Sequence, residues 1–164
     1  MAFKRILVAT DFGGAAAAAL DRACELARTF GSRLFIVHVV EDVRAHFGAS
    51  EYAAAIGKIQ TDLEASAREH MRALVARRDA SALDVEAAVL VLSAPAAAIV
   101  SYARDKQADL IVMGTHGRGK IASLLIGSVA ERVLRTASCP VLIVREAADA
   151  ARPVSAAAAA SAPA

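Results

Sequence analysis

The sequence predicts a doubly wound α/β domain: a single five-stranded parallel sheet in the order 3-2-1-4-5 with helices on both faces. Three observations predict it. Short runs of Val, Ile and Leu alternate with longer stretches whose apolar residues recur every three or four positions, the pattern of successive βαβ units. The short runs are apolar almost throughout, as strands covered on both faces must be. Thr10-Asp11 and a glycine-rich stretch starting at Gly114 directly follow the first and fourth of these runs. Sheets of this class hold ligands beyond the carboxyl ends of their strands, and the order 3-2-1-4-5 is the one that sets strands one and four side by side.

Taken in order, Ile6-Leu7-Val8-Ala9 is the first strand, broken by Asp11-Phe12-Gly13-Gly14. A helix follows over 15–29, with Leu20, Ala23, Cys24 and Ala27 at helical spacing and Gly31 as its stop. Leu34 to Val40 is the second strand, and a polar connection from Glu41 to Glu51 leads into a long helix from Tyr52 to Arg78. Ile56, Ile59, Leu63, Ala67, Met71, Leu74 and Val75 define its buried face, while Glu64, Arg68 and Arg72 form a charged exterior. Asp84 to Leu92 reads as the third strand. Pro95 suits the first turn of the next helix, where its missing N–H costs nothing. Asp109 to Met113 is the fourth strand, a helix runs over 128–136, and Pro140 to Val144 is the fifth strand. Beyond Arg145 the composition collapses to Ala, Ser and Pro, so the folded domain is expected over 1–146 and a disordered tail over 147–164.

The bulk properties fit one domain with an aliphatic core. The chain has 164 residues, 57% hydrophobic but only 4% aromatic, which suffices for a core without disulfides or a structural metal. A net charge of +2 argues against a nucleic-acid surface or a polybasic membrane anchor. Cys24 and Cys139 lie far apart without metal-ligand spacing and read as two buried thiols in a reducing compartment. Lys4-Arg5 before Ile6–Ala9 imitates a signal peptide, but Asp11 interrupts the run too early. No stretch approaches the length of a membrane span, and a cytoplasmic location is expected.

Chemistry concentrates at Gly114-Thr115-His116-Gly117-Arg118-Gly119-Lys120 and at Gly127-Ser128. Glycines directly after a buried strand let backbone N–H groups approach an anion. A helix opening at Ser128 offers free N–H groups, a positive dipole end and a hydroxyl. Together the two halves could grip a polyphosphate, although a turn and a helix cap would explain each half alone. The pattern is neither a P-loop, since Lys120 is followed by Ile121, nor a GxGxxG fingerprint, whose glycines follow the first strand. Asp11 can cap the first helix or contact a ligand, roles that do not exclude one another. His38, inside an apolar strand, reads as a satisfied core histidine rather than a base. The His116 ring is poised between a ligand role and solvent, and Arg118 is a better phosphate partner than Lys120.

Gly114-x2-Gly117-x9-Gly127-Ser128 resembles the nucleotide-binding signature of the ATP-binding universal stress proteins, the UspA-like family. Arg5 to Phe12, Leu34 to Val40, Ala108 to Arg118, Gly127 to Glu131 and Cys139 to Val144 are similar to that family as well, so the likeness covers about residues 3 to 145. It implies that Ala9, Thr10 and Asp11 lie at the nucleoside end of a pocket and that the Val39 main chain meets adenine. It further implies that Gly114, Thr115, His116, Gly117, Arg118 and Gly119 wrap the ribose and phosphates, capped by Gly127, Ser128 and Val129. Pairing of the strand Val141–Val144 in a homodimer is implied too, and would cover an otherwise apolar edge. The chain departs from the family at Ser93-Ala94-Pro95, where Gly-x-Pro is common, and at Gly13, where serine is common.

The expected function is ATP binding in stress response or signalling. Hydrolysis needs a group that positions water; Asp11 and His116 are the only candidates and neither has a recognisable partner in the sequence, so no residue is assigned a catalytic role. A slow or partner-dependent ATPase stays open, with Mg²⁺ or Mn²⁺ held through the phosphates and no metal site of the protein's own. The alternatives are a homodimeric interaction module that does not bind nucleotide and, more weakly supported, an enzyme that cleaves the phosphate chain.

Overall fold

The computed structural model describes residues 2–47, 51–77, 83–115 and 126–145. Its elements run β1 (Arg5–Ala9), α1 (Gly14–Phe30), β2 (Arg33–Val40), α2 (Arg44–Phe47), α3 (Ala53–Ala76), β3 (Val85–Val91), α4 (Pro95–Asp105), β4 (Leu110–Gly114), α5 (Ser128–Thr136) and β5 (Val141–Val144). The strands form one parallel sheet in the order β3-β2-β1-β4-β5. The order expected from the sequence is the order found, and β1 and β4 are neighbours. The tail over 147–164 lies outside the described residues, as does the stretch from His116 to Lys120.

Alternation along each strand feeds two cores. Ile6, Val8, Leu34, Ile36, Leu110 and Val112 face one side, where α1 packs Leu20, Ala23, Cys24 and Ala27 and α3 packs Met71. Leu7, Phe35, Val37, Ile111 and Met113 face the other, covered by Ala96, Ile99, Val100 and Ala103 of α4 and by Ala130 and Val133 of α5. Alanine gives α1 high helix propensity and a thin inner face, and Gly31 closes the helix in the left-handed region at φ 65°, its N–H bonded to the Ala27 carbonyl. Pro95 opens α4 as expected. Cys24 is buried and Cys139 is half-buried; burial, then the charge of Asp109, pushes the Cys139 thiol up.

Two expectations need correcting. The connection after β2 contains a short helix, α2, which four residues are too few to announce through periodicity. On α3, Ile59 and Leu63 are exposed, 54% and 44%, while Gln60 is 1% exposed. The Gln60 Oε1 accepts the Val43 N–H at 3.0 Å and its Nε2 donates to Glu64 at 3.2 Å. This amide fastens α3 to the segment entering α2, and so rotates the buried stripe toward a polar residue. That hydrogen bond, with Arg68 behind it, holds the Glu64 carboxyl below its usual range.

Candidate functional site

A cleft of about 340 Å³ opens where β1 and β4 end, at the size of a small-ligand site. Ala9, Thr10, Asp11, Val39, Gly114, Thr115, Gly127, Ser128 and Val129 all line it, so the fold gathers every described residue of the expected set. His116, Gly117, Arg118 and Gly119 lie outside the described residues.

The β1 side is a tight acidic turn. Thr10 is buried, its N–H donates to the Val37 carbonyl at 2.9 Å, and its Oγ1 accepts the Phe12 N–H at 3.0 Å. The Asp11 Oδ1 accepts the Gly13 N–H at 3.0 Å, a local side-chain turn; the helix cap expected of Asp11 falls instead to Gly13, and α1 has no side-chain cap bond. Phe12 sits in the left-handed region at φ 65°, a costly conformation for a bulky residue. Its ring lies between the His38 ring, centroids 4.4 Å apart, and the His70 ring of α3, 5.4 Å away.

The β4 side is fixed by a close approach. A Cβ on Gly114 would stand 2.7 Å from the Ala15 backbone carbon, so this glycine is needed because the first turn of α1 rests on it. Left-handed freedom is not its reason, since Gly31 alone among the described glycines has a positive φ. The Thr115 N–H then donates to the Val144 carbonyl at 3.0 Å, and the Thr115 carbonyl accepts the Gly127 N–H at 2.7 Å. Gly114-Thr115 and Gly127-Ser128 thereby meet, although far apart in the chain. Gly127 is the N-cap of α5, with no side-chain cap bond, and Glu131 makes the helix's first backbone bond to it. The N–H groups of Ser128, Val129 and Ala130 precede that bond and have no acceptor within the helix. All three residues line the cleft.

Val39 shapes the opposite wall. In β2, Arg33 and Val37 bond toward β1, while Leu34 and Val40 bond toward β3. By this alternation Val39 turns its N–H and C=O toward β1, but the β1 register ends at Ala9 opposite Val37. Among the described residues no ladder partner takes them. The floor between the two ends is apolar, from Val37, Ile99 and Met113. These residues, with Ala16, Pro95 and Ala130, were missed from sequence, where strand and helix positions of this kind look like ordinary core. Among the described lining residues Asp11 is the one acidic side chain and none is Lys or Arg, so an anion in the cleft is met by the α5 N-terminus. No group of three or more His, Cys, Asp or Glu among the described residues could hold a metal ion.

His38 also borders the cleft. Its Nδ1 lies 2.8 Å from the Thr10 carbonyl oxygen; a carbonyl can only accept, so Nδ1 carries the hydrogen. The histidine is satisfied by the fold, as the sequence suggested. What the sequence did not disclose is which carbonyl it takes.

Residues 2–145 match the model of the universal stress protein family. The chain is 39% identical over 146 residues to a universal stress protein of Thermus aquaticus encoded in the QAH/OAS sulfhydrylase 3' region, covering 87% of this chain and 99% of that one. Among solved structures it is similar to MJ0577 of Methanocaldococcus jannaschii, with a TM-score of 0.77, 26% identity, and 88% and 97% of the two chains covered. A universal stress protein solved in complex with cAMP superposes with a TM-score of 0.56 at 31% identity, covering 89% of this chain and 99% of that one.

Proposed function

This chain belongs to the universal stress protein family, and we propose that it acts in stress response or signalling by holding an adenine nucleotide, ATP in the first instance, in the cleft between β1 and β4. One observation carries the reading: the cleft has an open backbone donor and acceptor at Val39 on one wall and the free N–H groups of α5 on another. Adenine fits the first, since its N6–H₂ donates and its N1 accepts, and phosphate fits the second. The apolar floor suits a purine ring. A relative solved with cAMP supports an adenine nucleotide as the ligand class.

Binding, with at most slow or partner-dependent hydrolysis, is the mode the side chains support. Hydrolysis needs water to be positioned, and the Asp11 Oδ1 is committed to the Gly13 N–H. Mg²⁺ or Mn²⁺ would arrive through the phosphates, and His116, Gly117, Arg118 and Gly119 would close over them. The cytoplasm, where ATP is abundant, is the compartment this reading implies; no helix among the described residues is long and apolar enough to cross a membrane. Homodimerisation through β5 is part of the proposal, because β5 ends the sheet and its Leu142 is 38% exposed.

The test is to purify the chain without added nucleotide, denature it and identify released small molecules by mass spectrometry. ATP or ADP is expected. An empty protein that also shows no calorimetric binding of ATP with Mg²⁺ would refute the proposal in favour of an interaction module. Leu142→Glu should shift the mass measured by light scattering from dimer to monomer.

A further inference from the structure

We propose that His38 is a positioning residue: by capturing the Thr10 carbonyl it ends the β1–β2 ladder one rung early and keeps the Val39 N–H and C=O open for the nucleobase. In a parallel ladder the rungs recur every second residue. The Thr10 N–H to Val37 carbonyl bond is one rung, and the next would be the Val39 N–H donating to the Thr10 carbonyl. The His38 Nδ1–H donates to that carbonyl at 2.8 Å, and among the described residues the Val39 N–H makes no bond to it. The arrangement is held from both sides. Phe12 takes a left-handed turn, and its ring packs against the imidazole at a 40° tilt with the His70 ring of α3 beside it.

The open pair also gives the cleft a means of choosing its base, and this part rests on the proposed nucleotide function. Adenine offers a donor at N6 and an acceptor at N1, matching the Val39 C=O and N–H. Hypoxanthine and guanine offer an acceptor at O6 and a donor at N1, which places like against like at both contacts. Sites built on buried hydrogen bonds reject ligands that leave them unpaired by large factors.

The experiment uses the full chain, stripped of nucleotide, as wild type, His38→Leu and His38→Asn. Asparagine keeps an N–H₂ donor near the Nδ1 position; leucine does not, and both lose the imidazole's contact with the Phe12 ring. Amide hydrogen exchange at Val39 is read without ligand, and ATP and ITP binding with Mg²⁺ is read by calorimetry. In His38→Leu the Thr10 carbonyl is released to Val39, so exchange at Val39 should slow about tenfold or more, as for an amide entering a ladder. ATP affinity should fall about tenfold, the loss of one hydrogen bond, and the preference for ATP over ITP should shrink. His38→Asn should stay near wild type in all three. Equal behaviour of the two variants, or a Val39 amide already protected in the wild type, overturns the inference. A wild type that binds neither nucleotide refutes the proposed function, and the exchange at Val39 then decides the role of His38 by itself.

Discussion

At the amino end of the sheet, charged side chains tie the strands to one another, whereas at the carboxyl end the backbone is bent, glycine-lined and left with unspent hydrogen-bonding groups. Asp109, entering β4, accepts the Lys4 and Arg5 N–H groups at 2.7 and 3.0 Å, and the Arg5 guanidinium reaches the Lys106 carbonyl at 2.9 Å. Arg33 of β2 pairs with Asp84 and Glu86 beside and within β3, Glu86 also holds Lys106, and Tyr102 donates to Glu86 at 3.3 Å. At the other end Phe12 takes a left-handed turn, Val39 faces a strand that has stopped, and α5 presents its first N–H groups to a cleft. One end uses its polar groups on itself; the other, on the proposed function, holds them for a nucleotide. Mutations should therefore separate, with amino-end changes touching stability alone and carboxyl-end changes touching binding.

Gly114 is where that separation should break most visibly, because it both seats the first turn of α1 and lines the cleft. Gly114→Val would put a Cβ 2.7 Å from the Ala15 backbone, forcing the first turn of α1 off β4. Overpacking of this kind costs about 1–3 kcal/mol, and the displaced turn carries Asp11 with it. Urea unfolding should show the loss, and calorimetry should show weakened ATP binding. Wild-type stability would mean that α1 can move away freely and that the close approach is incidental.

Asp11 tests the carboxyl end more finely. Asp11→Ala removes the acceptor for the Gly13 N–H and should cost about 0.5–1.5 kcal/mol, the net worth of one hydrogen bond. Asp11→Asn keeps a side-chain oxygen for that bond and should retain most of the stability. If Asp11 also meets the nucleoside, both variants should weaken binding. If it only holds the turn before α1, Asp11→Asn should bind ATP like the wild type.

How far these roles were legible in the sequence follows from their range along the chain. The strand order followed from Thr10-Asp11 and Gly114 needing adjacent strands, and Pro95 and Gly31 marked their helix ends by local backbone chemistry. The packing reason for Gly114 was hidden, because it depends on Ala15, a residue brought close only by the crossover. Gln60 was hidden for the opposite reason: apolar Ile59 and Leu63 flank it in a plausible stripe, and its partner Val43 lies in a helix entry too short to register. His38 was read correctly as satisfied, yet its effect on Val39 depends on a missing ladder rung, which no residue pattern announces. The site was therefore legible in its glycines, acid and helix start, and opaque in the apolar floor that shares its pattern with any core strand.

Changes at the amino end should be the smallest and should leave ATP affinity untouched. Lys106→Met removes a partly exposed partner of Glu86 and should cost less than about 1 kcal/mol. The pH dependence sharpens the point. Lys106, the foremost cause, holds the Glu86 carboxyl below its usual range, so its contribution is full above the ordinary carboxylate pKa and is lost as pH falls through the lowered folded value. Burial, then the Glu86 charge, pushes the Tyr102 phenol up to about 12. A raised phenol pKa means the unfolded chain ionises first: the contribution is full below the ordinary tyrosine pKa of about 10 and fades as pH rises toward the folded value. Thermal unfolding of wild type and Tyr102→Phe should therefore differ by a constant amount from neutrality to about pH 10, with the gap narrowing above it. A gap that stays level across that range would show that the phenol is solvated like any surface tyrosine, and that the tie between α4 and β3 rests on Lys106 alone.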